Sequence, residues 1–180
     1  MPAMASDDDK LETGDSPWGR LAMWLATGLG VGLVAPAPGT VGGLWGLALV
    51  EPMVAITPWE ARVAVIGLLI VLAAIICTSA VRELGVENDP GVIVLDEIVA
   101  LPIVFLGFSA VGWPLLAAGF LMFRLFDILK IGLADSAEKL PGGWGVVADD
   151  CVAALQACLA LHGVVWLDRT VGYHWLASGV

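Results

Sequence analysis

From Ala61 to Val81 the chain runs through an almost unbroken apolar stretch of about 20 residues, the length a helix needs to cross a hydrocarbon core. Other apolar blocks flank it: Trp18 to Val34, Val41 to Ile56, Gly91 to Phe108, Pro114 to Ile128 and Val146 to Leu167. Of the 180 residues, 59% are hydrophobic and 14% charged, where a soluble domain carries nearer about a quarter charged. The pattern predicts an all-α fold, a polytopic integral membrane helical bundle. Trp18 to Val34 is short for a span and contains Gly28, Gly30 and Gly32. The turn Ala35-Pro36-Ala37-Pro38-Gly39-Thr40 then breaks any helix. The N-terminal part is therefore expected to be a re-entrant or short Pro/Gly-broken helical segment. Residues 1–17 read as a disordered acidic tail, 18–170 as a single transmembrane domain and 171–180 as a C-terminal tail.

The net charge of -10 owes much to Asp7, Asp8, Asp9, Glu12 and Asp15. An acidic balance argues against nucleic acid as a partner. Cys77, Cys151 and Cys158 lie in apolar blocks without metal-binding spacing, so they read as small buried hydrophobes. The polar, acidic N-terminus does not read as a cleavable signal peptide.

Alternating the direction of successive blocks gathers Asp89, Asp96, Glu97, Arg124, Asp127, Lys130, Asp149 and Asp150 at one membrane face, together with the Pro36–Thr40 turn. Arg82, Arg124, Lys130 and Lys139 fall on that face, and Arg62 and Arg169 on the other. The positive-inside rule makes the acidic face cytoplasmic. Acids at the mouth of membrane-grade helices are costly unless paired, and a divalent cation is a natural partner. For Asp149-Asp150 the other reading is a pair of solvated acids facing a helix dipole. For Asp96-Glu97 it is a salt bridge to Arg82 or Arg124, although two adjacent acids exceed what one arginine neutralises. Arg124, Asp127 and Lys130, at i, i+3 and i+6, read either as an ion-pair ladder or as a metal-binding carboxylate flanked by phosphate-holding cations. Gly39-Thr40 offers backbone N–H groups and a hydroxyl to a phosphate, though a plain turn explains it as well. His162 and His174 lie towards the far face as packed or interfacial side chains.

Four motifs in order carry a resemblance. They are Pro38-Gly39-Thr40 with Gly42-Gly43; Asp89-Pro90 with Ile93-Val94-Leu95-Asp96-Glu97; Phe123-Arg124-Leu125-Phe126-Asp127-Ile128-Leu129-Lys130; and Gly142-Gly143-Trp144-Gly145-Val146-Val147-Ala148-Asp149-Asp150. Over roughly Trp18 to Leu167 the chain resembles the phosphatidylglycerophosphatase A family. That family usually follows the lysine with a proline-rich run, where Ile131-Gly132-Leu133-Ala134 stands here. The resemblance implies a Mg²⁺-dependent phosphoric monoester hydrolase of a bacterial cytoplasmic (inner) membrane. It would turn phosphatidylglycerophosphate into phosphatidylglycerol and phosphate, within phosphatidylglycerol and cardiolipin biosynthesis.

On that reading Asp96, Glu97, Asp127, Asp149 and Asp150 are the catalytic and metal-binding set, and Thr40, Arg124 and Lys130 hold the substrate phosphate. No serine, cysteine or histidine sits among the acids, so direct attack by water is expected, with an aspartyl-phosphate route left open. Self-association into a homo-oligomer is left open too. The alternative is a cation transporter or channel with a clustered intramembrane acidic site, which would spread its acids through the bilayer depth. A CDP-alcohol phosphotransferase would carry an Asp-Gly-x-x-Ala-Arg pattern, which is missing. The orientation is testable by labelling single cysteines at Ser136 and Ser109 in intact cells. Ser136 should react only after the membrane is opened and Ser109 from outside; the reverse pattern would invert the topology.

Overall fold

The computed structural model describes residues 16–85, 90–130, 137, 139–173 and 175–176, and these contain helices, turns and no strand. Most of the acidic tail, Asp89, the residues after Lys130 up to Ser136, His174 and the last four residues lie outside the described set. The helices are α1 (Pro17–Ala26), α2 (Val31–Val34), α3 (Pro38–Val54), α4 (Trp59–Leu84), α5 (Leu95–Ala100), α6 (Trp113–Leu129) and α7 (Gly143–Val171). A 3-10 turn, Leu101–Phe105, follows α5 directly. At 1.5 Å per residue the 26 residues of α4 and the 29 of α7 extend about 39 and 43 Å. These two are long and apolar enough to cross a membrane.

The first apolar block is broken, as its glycines suggest. Gly28, Leu29 and Gly30 all take positive φ, which ends α1 and starts α2. Thr27 stitches the break: its Oγ1 donates to Met23 O at 2.8 Å and accepts from Gly30 N at 3.2 Å. Val94 N donates to Ala26 O at 2.9 Å, tying the end of α1 to the approach to α5.

Gly91 to Phe108, expected to cross as one block, is not a continuous span. Six residues of α-helix pass into five of 3-10 helix. Pro102 has no N–H for an α-helical bond and crowds the preceding turn, so the helix changes type there. Gly107 at φ 89 then turns the chain. Leu101, Pro102, Ile103, Val104 and Phe105 are all buried among α3, α6 and α7. Irregular backbone at membrane depth is tolerated only when protein covers it in this way. The segment still joins the two ends of the bundle, with Glu97 paired to Arg124 at one end and Phe108 beside Arg62 at the other.

α7 packs against α4, α5, α6 and the 3-10 turn, and α1 packs on α4. Phe105, Phe123, Leu115 and Leu161 fill the centre of the larger core. α3 presents Gly39, Gly42, Gly43 and Gly46 at i, i+3, i+4 and i+7, a single helix face. A Cβ on Gly43 would come within 2.8 Å of Phe120, and one on Gly46 within 3.0 Å of Leu101. Small residues here let backbones approach closely, as helix association in lipid requires.

The end opposite the acids is held by Arg62, only 6% exposed. Its Nη1 donates to Phe108 O at 2.8 Å and its Nη2 to Val54 O, joining α4, the end of α3 and the post-3-10 turn. His162 stacks on Phe108 with ring centroids 4.3 Å apart, and its Nε2 lies 2.8 Å from Leu106 O. This is the packed histidine expected. Arg62→Met should strand two buried carbonyls at about 1–3 kcal/mol each. Thermal unfolding in detergent should show a clearly lower midpoint; an unchanged one would mean that the carbonyls find other donors.

Candidate active site

The other end of the bundle is built from helix termini. The start of α3, the start of α5, the end of α6 and the second turn of α7 enclose a cavity of about 280 Å³. Its walls include Pro38, Gly39 and Thr40 from α3, Asp96 and Glu97 from α5, Arg124 and Asp127 from α6, and Asp150 from α7. Six of the eight residues singled out from sequence thus share one cavity. Ala37 from the Pro turn and Ile93 from the second motif line it too, as does Gly91, which no sequence signal marked.

Arg124 is the hub. Its Nη1 lies 2.8 Å from Glu97 Oε1 and 2.7 Å from Asp127 Oδ2, bridging α5 and α6. Its guanidinium also lies against the first turn of α3. A Cβ on Gly39 would fall 3.0 Å from both Nη atoms and collide with Glu97 Oε1, so a side chain there would displace the Glu97–Arg124 pair. A Cβ on Gly42 would sit 2.9 Å from Glu97 Oε2. Asp96 Oδ1 accepts from Glu97 N at 2.9 Å in the first turn of α5, where a carboxylate suits the helix dipole.

Asp149 and Lys130 stand apart from the cavity lining. Lys130 caps α6 in the left-handed conformation, φ 44, and its Nζ reaches Asp149 Oδ2 at 3.0 Å. Successive residues of a helix are about 100° apart around its axis, so Asp149 and Asp150 diverge although neighbours in sequence. Both are 4% exposed, as is Asp96.

Four carboxylates and one guanidinium line the cavity, a formal excess of negative charge in buried surroundings. Asp150 Oδ2 is buried and accepts no hydrogen bond among the described residues. Also among the described residues, no three His, Cys, Asp or Glu side chains form a group that could hold a metal ion. Arg124 sits on Glu97 and Asp127, and Lys130 on Asp149. In kind, however, the donor set fits a hard divalent cation: all oxygen, mostly carboxylate, with a buried acceptor left over.

The cavity also has an anion-binding side. α3 begins at Pro38 with Ala37 at the N-cap and no side-chain cap bond. Its first N–H groups therefore lack the usual capping acceptor at the cavity wall, with the Thr40 hydroxyl and Arg124 beside them. One chamber brings together carboxylates suited to a cation and N–H, hydroxyl and guanidinium groups suited to a phosphate.

The phosphatidylglycerophosphatase A family pattern matches residues 24–165. A Haemophilus influenzae protein named phosphatidylglycerophosphatase A is 35% identical over 141 residues, covering 78% of this chain and 86% of the relative. The Escherichia coli K12 protein of the same name is 31% identical over 163 residues, covering 89% and 86%. A Bacteroides thetaiotaomicron protein provisionally named a phosphatidylinositol-3-phosphatase is 30% identical over 152 residues, covering 82% and 95%. No solved structure matches the chain.

The charge balance has a consequence for stability in the absence of divalent metal. Asp150→Asn removes an excess buried charge and should raise the thermal midpoint measured in EDTA. Arg124→Met leaves Glu97 and Asp127 uncompensated and should cost about 3 kcal/mol. Midpoints that move together, or not at all, would refute this account of the charges.

Proposed function

The chain belongs to the phosphatidylglycerophosphatase A family, a family of phosphoric monoester hydrolases, and on that footing we propose that it hydrolyses phosphatidylglycerophosphate to phosphatidylglycerol and inorganic phosphate. The observation that carries the reading is the adjacency, in one cavity, of an uncapped helix N-terminus and Arg124 with the carboxylates of Asp96, Glu97, Asp127 and Asp150.

A phosphate monoester brings the charge and acceptor oxygens that the N–H groups at the start of α3, the Thr40 hydroxyl and Arg124 can satisfy. Lys130 adds positive charge from the end of α6. Asp96, Glu97, Asp127 and Asp150, with Asp149 beside them, are the residues that would hold Mg²⁺. When bound, Mg²⁺ supplies charge neutralisation for the phosphate and lowers the cost of deprotonating a water. Water attacks phosphorus in line with the departing lipid oxygen. A cavity carboxylate takes the water's proton, the ester P–O bond breaks, and the lipid alkoxide leaves as an alcohol after protonation. Arg124 stays on the non-bridging oxygens, where charge is redistributed during transfer.

The membrane setting rests on helix lengths. α4 and α7 meet the length for crossing, and α3 and α6, at 17 residues each, reach its lower limit. We read the chain as a multi-pass protein of a bacterial cytoplasmic membrane with the acidic end at the cytoplasmic face, and α1–α2 as a re-entrant or interfacial segment. The cation-channel alternative would extend carboxylates towards the far end. Among the described residues, the pocket beside Arg62 is lined by Thr57, Ser109 and apolar residues without a carboxylate, and the other pocket at that end, largely apolar, has Asp168 as its one acid.

The test is inorganic phosphate release by purified protein from short-chain phosphatidylglycerophosphate, with phosphatidylinositol 3-phosphate as comparator. Release should require Mg²⁺, stop in EDTA, and be abolished in Asp96→Asn and Asp150→Asn. Lys130→Ala should reduce turnover about ten- to a hundredfold, the worth of one charge-assisted hydrogen bond. Absence of release in Mg²⁺ would reject the phosphatase, and preference for the phosphoinositide would reassign its substrate.

A further inference from the structure

We propose that Thr78, on a helix that contributes no residue to the cavity, is a positioning residue for the carboxylates of α7. This rests on the phosphatase reading and adds a residue to it.

α7 begins with a defect. Its N-cap is Gly142, at φ 62 and ψ -144, which has no side chain to cap the first turn. The opening N–H groups of a helix need acceptors from elsewhere. In an apolar bundle an unmet one is costly through desolvation alone. Thr78 supplies the acceptor from another helix: its Oγ1 accepts from Gly143 N at 3.1 Å. The same hydroxyl donates to Ala74 O at 2.6 Å, so the oxygen is held on α4 with a lone pair turned towards α7.

The docking is close enough to set a register. A Cβ on Gly143 would run into Thr78 N and come within 2.6 Å of Ala74 O, both backbone atoms that cannot step aside. A Cβ on Gly142 would lie 3.3 Å from Thr78 Cγ2. The Gly142-Gly143 pair thus lets α7 start directly on the backbone of α4, and the Thr78 hydroxyl fixes where. Asp149 and Asp150 follow six and seven residues later, about 9 and 10.5 Å along the same helix. A helix transmits a shift at its first residue as a rigid body. A slip of about 1 Å at Gly143 would move both carboxylates relative to Asp96, Glu97 and Asp127, which other helices carry. Misplacement of that size costs on the order of a hundredfold in rate.

Of the phosphate-holding groups, Arg124 and the start of α3 sit on helices other than α7, and Lys130 is tied to α7 through Asp149. Loss of the hydroxyl should therefore act more on turnover than on lipid binding. Neighbouring Ser79 makes the usual bond to its own helix, Oγ to Ile75 O at 3.2 Å, and accepts from Trp18 on α1. Thr78 is distinguished by serving the helix that bears the acids.

The experiment compares Thr78→Val, which keeps shape and loses the hydroxyl, with Thr78→Ser, which keeps it. Thr78→Val should lower kcat about ten- to a hundredfold while KM for the lipid stays within about twofold. Thr78→Ser should restore kcat. Amide hydrogen exchange at Gly143 and Trp144 should speed up in the valine variant and recover in the serine variant. Wild-type kcat in Thr78→Val, or equal losses in both variants, would overturn the role. Wild-type protein that releases no phosphate would instead overturn the phosphatase reading beneath it.

Discussion

Arg124 bridges Glu97 and Asp127, and the ends of three helices are arranged around that contact. Burying carboxylates together is unfavourable unless cations compensate them, because desolvation and mutual repulsion act in the same direction. The guanidinium meets one acid from α5 and one from its own helix. Glycine at position 39 of α3 lets it lie against that helix without displacement. The remaining excess, expressed most clearly at Asp150 Oδ2, is tolerated rather than relieved. Such a cluster is costly as structure and useful as a site, which is the usual trade at places where chemistry is done.

The second constraint is that helix ends, rather than helix faces, form the cavity. Helix starts bring spare N–H groups and partial positive charge, which suits anions. The starts of α3 and α5 both lie at the cavity. The end of α6 brings spare carbonyls and favours cations; Lys130 stands at its C-cap, while Asp127 in the last turn runs against that preference and is met by Arg124 one turn earlier. Side-chain charge follows the backbone dipoles at the start of α5 and at the C-cap of α6, and opposes them at Asp127. Asp149 and Asp150 lie in the second turn of α7, past the glycine start that lets the helix seat on α4.

Much of this was legible in the sequence. Alternating the direction of apolar blocks brought Thr40, Asp96, Glu97, Arg124, Asp127 and Asp150 to one end, because block length and Pro/Gly breaks limit where a chain can reverse. Three features were hidden for physical reasons. Gly91 to Phe108 reads as a span because its residues are apolar, yet they are apolar through burial in protein; Pro102 and Gly107 were the signals of broken helix. Asp149 and Asp150 read as one pair, but the helical step separates them and gives Asp149 to Lys130. Lys130 reads as the third rung of an i, i+3, i+6 ladder. The left-handed backbone at the helix end takes it off that face. Thr78 had a weaker signal, a polar residue in an apolar helix.

The glycine face of α3 joins the packing argument to the chemical one. Gly43 and Gly46 approach Phe120 and Leu101, where extra atoms would only loosen the core. Gly39, on the same face, approaches Glu97 Oε1 and the Arg124 guanidinium, and Gly42 approaches both Val94 Cβ and Glu97 Oε2. One helical repeat therefore sets the spacing of the bundle at one end and the spacing between anion-binding and cation-binding groups at the other. A methyl group at Gly39 or Gly42 would not merely widen a helix contact. It would push on the Glu97–Arg124 pair and so alter charge placement in the cavity. Close helix packing in lipid draws on van der Waals packing between small residues. Here the same small residues also fix where the charges lie, so packing and electrostatics cannot vary independently along α3.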